Sequence, residues 1–152
     1  MVYPVADNPM VFLHTPNLPG AVFVLAGLFM VVRRGRDGLV MLFLALFAVG
    51  CAGGIASGLL LSVHPAHSAA LAGLVYIFFS RGDFGEKLYT ALMVLYAFLV
   101  AWTGIYKGAY SPGDAAAGMF AGIACSGLAY TLFAWVVKNI VHLNILKHSA
   151  RG

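Results

Sequence analysis

Apolar residues fall into five runs along the chain, at about 19–32, 38–62, 68–80, 88–106 and 114–137, separated by short polar or basic breaks. A membrane-crossing helix needs about 20 mostly apolar residues. The pattern predicts an all-α, polytopic integral membrane bundle of about five transmembrane helices. Residues 1–18 form an N-terminal segment at the outer interface, 19–141 the transmembrane bundle, and 142–152 a C-terminal tail.

The breaks explain the boundaries. Pro4, Pro9, Pro16 and Pro19 disrupt the first segment, because proline inside a helix loses a hydrogen bond. Arg33, Arg34 and Arg36 stop the first span, and Val63-His64-Pro65-Ala66-His67 is read as a link between the second and third. The third run, Ser68–Ser80, is short for a crossing, so it is either a tightly held short helix or a re-entrant segment. Ser111 before Pro112 has the form of an N-cap followed by proline at the first helical position. Helix continues past the fifth run through Lys138 toward Lys147.

Two ridges of small residues recur at four-residue spacing: Gly50, Gly54 and Gly58 in the second run, and Gly118, Gly122 and Ser126 in the fifth. In lipid such ridges let helix backbones approach closely. The two ridges are expected to pack on each other, with Cys51 and Cys125 at similar depth; the alternatives are a different neighbour, lipid, or a second copy.

Composition agrees with the bilayer reading: 62% of residues are hydrophobic and 9% charged, against about 25% charged in soluble domains. The net charge of +4 follows from topology rather than from nucleic acid. In a five-span arrangement Arg33, Arg34, Arg36, Arg81, Lys87, Lys138, Lys147 and Arg151 fall on one side and Lys107 alone on the other. The positive-inside rule then places the N-terminus outside and the C-terminus inside. Trp102, Tyr106 and Tyr110 mark the outer boundary and Trp135 the inner one. A bacterial or an organelle inner membrane fits equally. Arg33, Arg34, Arg36, Lys138 and Lys147 are candidates for contact with anionic lipid or a partner subunit.

Candidate chemistry is sparse. No Asp, Glu, Lys, Arg or His lies inside a predicted span, which argues against a proton relay or ion path through the bundle. P-loop, HExxH, GxSxG and CxxC motifs are absent. His64 and His67 stand at i, i+3 spacing, and with His14 they form a candidate copper or zinc site to which Asp7 or Asp114 could add; the competing reading is ordinary interfacial histidine. No cofactor is required. The hydroxyls of Ser57, Thr90, Tyr96, Thr103, Ser126, Tyr130 and Thr131 either bond to helix carbonyls or line a polar path. These features point to a non-enzymatic accessory or assembly subunit of a larger membrane complex, in contact with lipid and with other subunits or copies of itself. The alternatives are a small homo-oligomeric channel or carrier for a neutral solute, and a metal- or cofactor-binding redox component.

Overall fold

The computed structural model describes the backbone of residues 17–149 and the side chains of 20–139. Among these residues the structure is all helix: α1 (Asn17–Arg34), α2 (Arg36–Gly58), α3 (Val63–Phe79), α4 (Phe84–Tyr106) and α5 (Pro112–Ser149). Three stretches are long and apolar enough to cross a membrane: α2, α4 and residues Pro112–Asn139 of α5. The shorter α3 is an apolar helix of 17 residues in all. At 38 residues, α5 rises about 57 Å, far beyond a hydrocarbon core of about 30 Å.

One residue, Gly35, separates α1 from α2. Its φ of 55° lies in the left-handed region, where a side chain is strained and glycine is not. The turn is tight enough that Gly38 lies against the Met30 carbonyl, with no room for a Cβ. At the other end α2 stops at Gly58, and Leu61 N–H closes onto the Ala56 carbonyl at 2.7 Å.

The stretch Val63–His67, read as a link, is the first turn of α3. That extension makes the third segment one continuous 17-residue helix, still shorter than the three long apolar stretches. It is the central element: Ala66, Ala69, Ala70, Leu71, Ala72, Leu74, Val75 and Phe79 are all buried. Its run of alanines allows the surrounding helices to close on it.

The α4 start is fixed by Asp83, whose carboxylate accepts the Glu86 N–H at 2.8 Å. The α5 start is a reciprocal cap: Ser111 Oγ accepts the Asp114 N–H at 3.1 Å, and Asp114 Oδ2 accepts the Ser111 N–H at 3.3 Å.

The small-residue ridges do not meet each other. Positions Gly50, Gly54 and Gly58 have no atom of another element near where a Cβ would stand; they face outward. Alanines on the opposite side of α2, at 45, 48, 52 and 56, are the buried ones. The α5 ridge packs on α3 instead. A Cβ at Gly118 would meet the Ser62 carbonyl and Ala66 nitrogen, one at Gly122 the Ala66 carbonyl and Ala70 nitrogen, and Ser126 Oγ fills the space beside Gly73. These pairs set α3 and α5 side by side and parallel. The spacing pattern found the ridges but held no information on which helix each faces.

Away from that contact, α1 is clamped to α4. Arg34 donates to both Glu86 oxygens, Nε to Oε1 at 2.9 Å and Nη2 to Oε2 at 2.8 Å. Arg33 pairs with Asp83. Arg34 also lies over the Phe79 ring at 5.5 Å, and Phe29 stacks on Tyr89 with centroids 4.1 Å apart. Two of the arginines expected to face lipid or a partner are thus spent on joining α1 to α4. Both carboxylates at the α4 start, Asp83 and Glu86, thus answer a different helix rather than the neighbouring Arg81 and Lys87.

Candidate functional site

At one end of the bundle the α2 terminus, the α3 and α5 starts and the α4 terminus come together. His64 and His67 sit on the first turn of α3, before its apolar stretch begins at Ser68. His64 is exposed and His67 half-buried. The His67 imidazole rests on the bare backbone of Gly53 in α2, where a Cβ would collide with Nε2. Gly53 lies beside the Gly50/Gly54/Gly58 ridge, and it is the glycine of this region that serves the site.

The start of α3 has no side-chain cap. Ser62 Oγ is buried there with no hydrogen-bond partner. An uncapped helix N-terminus presents the positive end of the helix dipole and is a ready anion site. Asp114 stands one turn before Gly118, and Gly118 touches Ser62 and Ala66, so the α5 cap lies level with the α3 start. The connecting loop is pinned: Tyr110 folds over Gly104 and its hydroxyl donates to the Val100 carbonyl at 2.9 Å. Lys107 stands exposed in this loop.

Burial, and then the neighbouring His64, hold the His67 pKa below the ordinary imidazole value of 6.5. Both disfavour a positive charge on the ring. A half-buried imidazole that is neutral at pH 7 suits a base or nucleophile. A second imidazole, His64, stands exposed one turn away.

Among the described residues no group of three His, Cys, Asp or Glu side chains comes together to hold a metal. His14, the third ligand of the proposed copper or zinc site, lies outside the described residues, as does Asp7. Arg36 and Lys138 are exposed at the basic end, and the Lys147 side chain lies outside the described residues. Cys51 and Cys125 are both free.

From the sequence, His64 and His67 read as metal ligands or as ordinary interfacial histidines, not as catalytic groups. The polar groups that converge do so at helix starts. The signal available was the clustering of His64, His67, Lys107, Tyr110, Ser111 and Asp114 at predicted outer ends.

A model of the PAP2 superfamily matches residues 56–138, a stretch that contains every one of these groups. No curated protein and no solved structure matches the chain. The superfamily comprises phosphatase and phosphoesterase enzymes. That overturns the expectation of a non-enzymatic accessory subunit, and with it the channel and redox-component alternatives; the lack of ionisable groups inside the spans does not bear on a reaction carried out at their ends. The match covers more than half of the chain, and this integral membrane helical protein belongs to the PAP2 superfamily.

Proposed function

We propose that the protein is a membrane-embedded phosphoesterase that hydrolyses a phosphate ester at the end of the bundle formed by the α3 and α5 starts. The observation that carries the reading is the superfamily match over 56–138, the segment that supplies this polar end. The geometry supports it in three ways. The uncapped α3 N-terminus, with the buried Ser62 hydroxyl, favours an anionic oxygen. Lys107 adds a cation in the adjoining loop, where charge on a phosphoryl group needs stabilising. His67, held neutral, takes the proton of the attacking water, and His64 protonates the leaving oxygen. The phosphorus–oxygen ester bond breaks as the water–phosphorus bond forms, giving an alcohol and inorganic phosphate from a monoester.

The test is phosphate release from a soluble aryl phosphate monoester and from a phosphate monoester embedded in detergent micelles. The purified wild type is compared with His67→Asn and Lys107→Gln. The expected result is release by the wild type and a fall of about 10²–10⁴-fold in His67→Asn, with a smaller loss in Lys107→Gln. Wild-type activity unchanged by His67→Asn would overturn the assignment of the site; no release from either ester would overturn the reading as a whole.

A further inference from the structure

The opposite, basic end of the bundle carries a second polar–apolar feature that the phosphoesterase reading does not use. A groove of about 480 Å³ opens between the last turns of α3 and the first half of α4. Ser80 and Lys87 stand at its mouth, and Tyr76, Ala91, Leu95 and Phe98 form its walls. From Lys87 to Phe98 the helix rises about 16 Å. That is about half of a hydrocarbon core of about 30 Å, the depth of one leaflet.

Charge on the mouth is unbalanced. Asp83 is taken by Arg33 and Glu86 by Arg34. Lys87 has no carboxylate partner among the described residues. Its ammonium therefore stands at the membrane boundary above an apolar slot. The slot's far end meets a second cavity of about 310 Å³, which shares Tyr76, Val94 and Phe98 with it and continues to Met119 and Ile123 on α5. The pairing of one unmatched cation with an apolar slot one leaflet deep has the form of a lipid, head and chain.

We infer that this groove binds one anionic glycerophospholipid from the leaflet on the basic side, its phosphate on Lys87 and Ser80 and one acyl chain along Ala91, Leu95 and Phe98. A basic residue near the membrane surface attracts anionic lipid, and the lysine stem covers apolar surface while its ammonium stays at the boundary. The site is separate from the proposed catalytic end, so its failure would leave the phosphoesterase reading standing.

The experiment is native mass spectrometry of the full chain, delipidated in mild detergent and then offered phosphatidylglycerol or phosphatidylcholine of the same chain length. One phosphatidylglycerol is retained in preference to phosphatidylcholine. Lys87→Gln lowers that preference about fivefold, the contribution of one lysine at an anionic surface, while Arg81→Gln, a change to an exposed cation outside the groove, leaves it in place. Val94→Trp fills the slot and lowers retention of both lipids. Equal retention of the two lipids by the wild type would overturn the inference. So would an equal loss of preference in Lys87→Gln and Arg81→Gln, which would mean general surface charge, or unchanged retention in Val94→Trp.

Discussion

His67 owes its placement to a residue on another helix. Its imidazole occupies the space that a Cβ on Gly53 would take, so Gly53→Ala leaves α2 intact and displaces the ring. The expected result is a protein that purifies with wild-type helix content, has a lower kcat, and keeps about the same KM for the micellar phosphate ester. A Gly53→Ala enzyme with unchanged kcat would show that the ring position does not matter. The pH profile follows from the same burial. Because His67 in the folded protein gives up its proton below 6.5, activity that needs the neutral ring is retained as pH falls to about 6.5 and is lost only below it. An acid limb centred above 6.5 would assign the limb to another group. The i, i+3 spacing of His64 and His67 was legible in the sequence, because both sit on one short stretch. Their partner Gly53 was not, since contact between α2 and α3 depends on helix rotation, which spacing leaves open.

Among the elements, the α3–α5 contact is the one with no slack. Backbone lies against backbone at Gly118 and Gly122, so Gly122→Ala forces the helices apart. Overpacking of this kind costs about 1–3 kcal/mol, read as a lower thermal midpoint in detergent. Gly54→Ala is the control: it points into open space, and alanine is the better helix former by about 1 kcal/mol. Its midpoint is expected to be equal or higher, and equal losses in both variants would refute the assignment of the two ridges. The α1–α4 clamp makes a separate prediction. Glu86 is almost wholly buried and is matched by the two Arg34 bonds. Arg34→Ala leaves that carboxylate unpaired, which costs about 3–5 kcal/mol in a fully buried pair and about 2 kcal/mol here, because the guanidinium is partly exposed. Arg34→Ala with wild-type thermal stability would count against the clamp. Helix existence was readable from apolar run length, and the α5 start from Ser111-Pro112. The α1–α4 clamp was hidden because Arg34 and Glu86 are 52 positions apart, and a basic cluster beside a span end reads equally well as a stop signal or a bridge.

For the molecule as a whole, the decisive asymmetry is that the two ends of the bundle differ in kind. One end gathers Arg33, Arg34, Arg36, Arg81, Lys87 and Lys138, and two of these six are neutralised by Asp83 and Glu86. The other gathers His64, His67, Tyr110, Ser111 and Asp114 around two helix starts, with Lys107 its lone lysine or arginine. Asp37 is a third carboxylate at the basic end, so a net surplus of three positive charges remains there, and the positive-inside rule favours the basic end toward the cytoplasm or matrix and the proposed catalytic end away from it. For the proposed phosphoesterase, orientation decides which pool of phosphate esters it meets. The test uses a background of Cys51→Ala and Cys125→Ala, with one cysteine restored at a time by Ala109→Cys in the exposed α4–α5 loop or Arg81→Cys in the exposed α3–α4 turn. In intact cells a membrane-impermeant maleimide is expected to label Ala109→Cys directly and Arg81→Cys only after permeabilisation. The reverse pattern would turn the active end inward. The surplus of three positive charges would then lie on the translocated side, against the rule, and substrate would be drawn from the inner leaflet or the compartment behind it.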